Sequence, residues 1–170
     1  MMGTKPVLGL RHAVLWVTDP QRSAEFYEQA LGLERKVDSD NAVFMSSAVS
    51  ATDHDLGLFH TPRSVPLPQS PGLYHLAWEV ETLEDLEEAK ARLTTMGALV
   101  GENNHGMSRS LYCNDPDGIE FEVMWEVPED LLADDEPSNL PLDFAADYAR
   151  FGRNAPGRGA FRSGRSDAGR

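Results

Sequence analysis

The sequence predicts an α+β fold built from two paired βαβββ modules, their eight strands forming one curved, mostly antiparallel sheet. Three observations carry this. His12-Ala-Val-Leu-Trp-Val and His75-Leu-Ala-Trp-Glu-Val open two similar segments 63 residues apart. Each opening is followed by a helix with recognisable caps, and each helix by three short strand-like runs. One such unit is too small to bury both faces of its own sheet, so the two are expected to pair.

The first module spans about residues 8–62. Its opening run is rich in β-branched and aromatic residues and reads as a strand. Asp19 then supplies an N-cap, Pro20 the first helical position and Gly32 the stop. Strands follow near Glu34–Asp38, Asn41–Ala48 and Asp55–His60. Residues 61–72 hold four prolines and read as a loop. The second module spans about 72–127. Thr82 caps its helix, with Asp85 three residues on as a capping box. Leu83, Leu86, Ala89, Leu93 and Met96 make the apolar stripe, and Gly97 ends it. Strands are expected near Ala98–Glu102, Arg109–Asn114 and Gly118–Glu126. Together, residues 1–127 form the expected domain.

Residues 128–170 read as an extension: an acidic linker, a short helix and an Arg/Gly-rich tail. Residues 126–149 carry eight acids and no Lys or Arg, whereas 150–170 carry six arginines and one aspartate. The stretch 140–151, with Phe144, Ala145, Tyr148 and Phe151, fits an amphipathic helix packed on the core or a neighbouring subunit. The basic tail is expected to dock on an acidic face.

Across all 170 residues, acids outnumber bases 28 to 15, a formal charge of -13. Such a chain repels phosphate backbones and anionic lipid surfaces, which argues against nucleic-acid and membrane partners. A single cysteine, Cys113, excludes an internal disulfide framework and a multi-cysteine zinc site. No apolar run approaches the roughly 20 residues of a membrane span, and a cytoplasmic protein is expected.

Strand alternation puts His12, Val14 and Trp16 on one face, and His75, Ala77 and Glu79 on one face. The repeat makes His12 and His75 equivalent, which favours a ligand pair over two unrelated structural histidines. Glu122, 47 residues after His75, is the expected third ligand, with Glu120 on the same face as its competitor. Counting 47 residues from His12 gives Phe59, so the fourth corner would be apolar. Two imidazoles and one carboxylate leave coordination positions open, which suits Fe(II), with Mn(II) as the alternative. A structural zinc site would be closed by four protein ligands.

These residues resemble the vicinal-oxygen-chelate superfamily (glyoxalase/bleomycin resistance/dioxygenase), and within it a one-domain type I extradiol ring-cleaving dioxygenase. The resemblance covers about residues 8–127. Its main signature is Tyr112-Cys-Asn-Asp-Pro-Asp-Gly-Ile-Glu-Phe-Glu122, similar to a family run whose last glutamate binds the metal, which favours Glu122. The family's metal histidines match His12 and His75. The resemblance further implies that His54, in His-Asp-Leu-Gly-Leu, is the acid/base. It implies that His105, in His-Gly-Met-Ser, and Tyr112 hydrogen-bond substrate oxygens. Its implied substrates are a small aromatic diol and O2, and the chain would form a homo-oligomer. Val14, Trp16, Ala77 and Met124 would face the ring, with Trp78 and Cys113 in the core. A glyoxalase-type isomerase, a thiol transferase and a metal-free small-molecule-binding module are the competing readings. The first is disfavoured by Phe59 and the last by the metal triad.

Overall fold

The computed structural model describes residues 10–61, 73–133 and 137–161, with side chains through Gly159. The expected loop after Thr61 and the last nine residues of the basic tail therefore lie outside the described residues. The chain divides into two compact units, Met1–Ser64 and Val65–Arg170. Each contains one βαβββ module. Among the described residues, the backbone ladders run within each module and give two four-stranded sheets.

In the first unit, β1 (Ala13–Val17) leads to α1 (Pro20–Leu31), then β2 (Glu34–Ser39), β3 (Ala42–Ser46) and β4 (Leu56–His60). The sheet order is β1-β4-β3-β2, with β1 and β4 parallel and the other pairs antiparallel. The Asp19 side chain accepts from the Gln21 and Arg22 amides, and Gly32 closes α1 with φ 66°. That left-handed conformation penalises any residue with a Cβ. Strand alternation sends Leu15, Val17, Val43, Met45, Leu56 and Leu58 into a core with Ala24, Tyr27 and Ala30 of α1. Full burial of each leucine contributes about 1.5–3 kcal/mol.

The second unit repeats the plan with β5 (Leu76–Glu79), α2 (Leu83–Thr95), β6 (Leu99–Asn104), β7 (Ser108–Asn114) and β8 (Glu120–Glu126). Its order, β5-β8-β7-β6, reproduces that of the first sheet, including the parallel edge pair. Both sheets carry a register shift in the same hairpin, between Arg35 and Val37 in one and Leu99 and Gly101 in the other. The Thr82–Asp85 capping box is formed in both directions. Leu83, Leu86, Ala89 and Leu93 are fully buried, together with Leu111, Cys113, Phe121, Val123 and Trp125 from the sheet. Met96 is the C-cap rather than a stripe residue. Burial pushes the Cys113 thiol up to about 12, so it is an inert apolar filler.

The extension packs on the second unit. Its helix, α3, is Phe144–Phe151, shorter than the expected 140–151, and Asp143 caps it. The expected anchor was the apolar stripe, yet Asp147 is the buried side chain of α3. It receives Arg109, itself 2% exposed, through Nε at 2.9 Å and Nη2 at 2.8 Å. Phe151 lies against Trp125, and the Tyr148 hydroxyl donates to Glu87 of α2 at 2.6 Å. Burial and that carboxylate push the Tyr148 phenol up to about 12. Two arginines of the extension meet acids: Arg153 pairs with Glu84 and Arg158 with Glu129. Among the described residues, no helix is long and apolar enough to cross a membrane.

Candidate metal and catalytic site

In the second unit, the parallel β5–β8 ladder sets Ala77 opposite Glu122. His75 lies two residues before Ala77 and so shares its face. The His75 Nε2 is 3.1 Å from Glu122 Oε2, and the Glu122 side chain is 9% exposed. The other ring nitrogen, Nδ1, is 3.5 Å from Glu120 Oε1. Both of these latter atoms are shielded from water and have no hydrogen-bond partner. Bonds of about 2.1 Å at right angles would put two donors on one ion about 3 Å apart, so the His75–Glu122 spacing fits a shared metal.

Tyr112 sits directly across β7–β8 from Glu122, its ring 5.9 Å from that of His75. Its hydroxyl lies 2.7 Å from His105 Nε2. Burial, with the negative charges of Glu122 and Glu120 adding, raises the phenol above its usual range and keeps it protonated. His105 is presented by the β6–β7 turn, where the Asn104 side chain accepts from the Gly106 amide and Gly106 has φ 80°. The Asp115-Pro-Asp-Gly turn sets the entry of β8. Asp115 Oδ1 accepts from the Asp117 and Ile119 amides, and Gly118 supplies φ 81°.

In the first unit, His12 and His54 stand just before the paired strands β1 and β4, with ring centroids 4.4 Å apart. His54 Nδ1 is 3.0 Å from Asp53 Oδ2, and this bond holds the Asp53 carboxyl below its ordinary range. Phe44 meets His54 edge-on at 4.9 Å, Phe59 meets Phe44 at 5.5 Å, and Trp16 meets Phe59 at 6.1 Å. Rings thus line one face of this sheet from His12 to Trp16.

The ladder registers correct the expected equivalence of Phe59 and Glu122. Ala13 faces Leu56, and Leu76 faces Phe121, so the counterpart of Glu122 is Gly57. The 63-residue offset of the histidines grows to 65 by Gly32 and Gly97, because α2 is one residue longer and Met96 intervenes as a cap. The corner is apolar all the same. A Cβ on Gly57 would lie 3.2 Å from Val14 and 3.3 Å from the Phe59 ring. His60 is engaged elsewhere, with Nδ1 3.0 Å from the Thr18 carbonyl.

The structure thus pairs His75 with Glu122, His105 with Tyr112, and His12 with His54. Among the described residues, no three His, Cys, Asp or Glu side chains form a ready metal-binding group. One contributor went unnoticed in the sequence. Asp55 accepts at its carboxylate from Ser46, the Ser47 amide, Ser50 and Thr52, while Thr52 also donates to the His54 carbonyl. Its own carbonyl receives the Ala13 amide, beside His12. The clue was the density of Ser and Thr before Asp55.

A family model described as Glyoxalase/Bleomycin resistance protein/Dioxygenase superfamily matches residues 9–123. Catechol-2,3-dioxygenase of Bacillus subtilis (strain 168) is 29% identical over 137 residues, covering 79% of this chain and 47% of its own. The chain therefore spans about half the length of that relative. Glutathione transferase FosA of Serratia marcescens is 28% identical over 117 residues, covering 67% of this chain and 78% of its own. The crystal structure of a glyoxylase/bleomycin resistance protein/dioxygenase domain from Frankia sp. EAN1pec superposes with a TM-score of 0.59 at 24% identity. That likeness covers 72% of this chain and 100% of the other.

Proposed function

The chain belongs to the Glyoxalase/Bleomycin resistance protein/Dioxygenase superfamily, and from that premise we propose that it performs extradiol cleavage of a catechol-type aromatic with Fe(II) and O2. His12, His75 and Glu122 would hold the ion, with Mn(II) as the alternative. The bound metal would supply Lewis acidity toward the diol oxygens and electron transfer to dioxygen. What favours Glu122 over Glu120 is the imidazole itself. Its two nitrogens point in divergent directions, so an ion on Nε2 can share Glu122 but not the carboxylate facing Nδ1.

The chain's own residues have separable tasks. His54 donates from Nδ1 to Asp53, which leaves Nε2 as the lone pair that takes the diol proton. Tyr112 remains protonated and donates to a substrate oxygen, while His105 orients its hydroxyl. Both atoms of O2 enter the ring-opened product, so substrate and oxygen are consumed one to one.

The observation that carries this reading is the grouping of His75, Glu122 and Tyr112 on one sheet face, with His105 reaching Tyr112 from the adjoining turn. The test is anaerobic purification, measurement of bound iron, and addition of mono- and bicyclic catechols. Equimolar oxygen uptake with a yellow ring-opened product is expected. An iron-loaded protein inert toward every catechol would overturn the proposal, and turnover of an epoxide with glutathione would replace it with thiol transfer.

A further inference from the structure

We propose that Glu120 is a positioning residue. It would accept a hydrogen bond from His75 Nδ1 and so hold the imidazole with its Nε2 lone pair toward the metal. This rests on the function proposed above, because it assumes that His75 is a metal ligand.

Glu120 and Glu122 alternate to the same face of β8, and His75 stands between them. Glu122 takes the Nε2 side. On the other side, His75 Nδ1 and Glu120 Oε1 face each other at 3.5 Å, both shielded from water and neither with another hydrogen-bond partner. A buried donor and a buried acceptor left facing each other are complementary, and a small side-chain adjustment brings them into bonding range. The tautomer follows. A proton on Nδ1 directed at Glu120 leaves Nε2 free to ligate. Tyr74 and Tyr112 both pack against the imidazole, with ring centroids 4.8 Å and 5.9 Å away, and neither hydroxyl is bonded to Nδ1. The Tyr112 hydroxyl is engaged by His105, so it does not compete for Nδ1.

The experiment is anaerobic titration of the full chain with Fe(II), and with Co(II) as a spectroscopic probe, for the wild type and four variants. Glu120→Ala should fold normally by circular dichroism and bind either ion about 10- to 100-fold more weakly, with a shifted Co(II) visible spectrum. Glu120→Gln, which keeps an acceptor oxygen, should recover much of the loss. His75→Ala and Glu122→Gln should bind no measurable metal. Wild-type affinity and spectrum in Glu120→Ala would overturn this inference while leaving the proposed function intact. Complete loss of binding in Glu120→Ala would overturn it differently, by making Glu120 a ligand. A wild type that binds neither ion would overturn the proposed function and this inference together.

Discussion

The His105 Nε2 stands 2.7 Å from the hydroxyl of Tyr112, and Tyr112 lies directly across the ladder from Glu122. A histidine from a turn thereby reaches a phenol on the open face of a sheet, next to the candidate metal ligands. Tyr112→Phe removes the donor without changing the ring packing. Turnover should fall about 100-fold, with metal content unchanged. Because the phenol titrates above its usual value of about 10, it stays protonated through the working range. The pH profile of Tyr112→Phe should therefore keep the wild-type alkaline limb below pH 10, and loss of that limb would contradict the assigned role.

The two histidines that open equivalent strands differ from the one that opens β4. His75→Ala should lose the metal, read by metal analysis. His54→Ala should keep it and slow turnover about 10²- to 10⁴-fold, the usual contribution of a general base. A fully active His54→Ala would dismiss Nε2 as the proton acceptor.

Local signals were legible in the sequence and distant ones were not. Asp19, Gly32, Thr82 and Asp85 act within four residues of the groups they satisfy, so their caps appear as written. The paired modules were legible because strand alternation and helix periodicity are also short-range. The identity of the corner opposite Glu122 was not. It depends on how many residues α2 and its cap consume, and fixed-offset counting chose Phe59 where the ladder has Gly57. The anchor of α3 was hidden for a related reason. Arg109 and Asp147 are 38 residues apart, and no periodicity marks an ion pair that closes over such a distance. Within the site, alternation put Glu120 and Glu122 on one face and the resemblance of the run ending at Glu122 chose between them, whereas the role of Asp55 depends on four donors gathered by a loop.

Asp55 should be a structural hinge of the first unit with a pH signature. Burial works to raise its pKa, but hydrogen bonds from Ser50, the Ser47 amide, Thr52 and Ser46 outweigh this and lower it. A folded pKa below the unfolded value means that the stabilisation is fully present above about pH 4 and is lost as the pH falls through the folded value. Asp55 is half-buried, so Asp55→Asn should cost about 1–2 kcal/mol at pH 7, toward the lower end of the range for hydrogen bonds to a charged group. The gap to wild type should shrink below pH 4. Urea unfolding at several pH values measures both, and a gap independent of pH would exclude a carboxylate role.

The Arg109–Asp147 pair makes the sharpest stability prediction. Arg109 is 2% and Asp147 6% exposed, and Arg109 also donates to the Gly106 carbonyl at 2.9 Å. Removing one partner leaves the other charged, buried and without its counter-ion. Asp147→Ala should therefore cost about 3–5 kcal/mol, beyond what a surface helix of eight residues would lose with one side chain. Replacing both partners together, as Arg109→Met with Asp147→Leu, removes the charges along with their desolvation cost and should recover most of that loss. Denaturant unfolding of the two singles and the double closes the cycle. If the double variant were as unstable as the sum of the singles, the pair would not be coupled and α3 would be held by Phe151 and Tyr148 instead. Because Gly106 follows His105, the Asp147→Ala variant should also loosen the turn that presents His105. Its turnover should then fall while the double variant, which no longer holds Gly106 through the guanidinium, remains slow despite its regained stability.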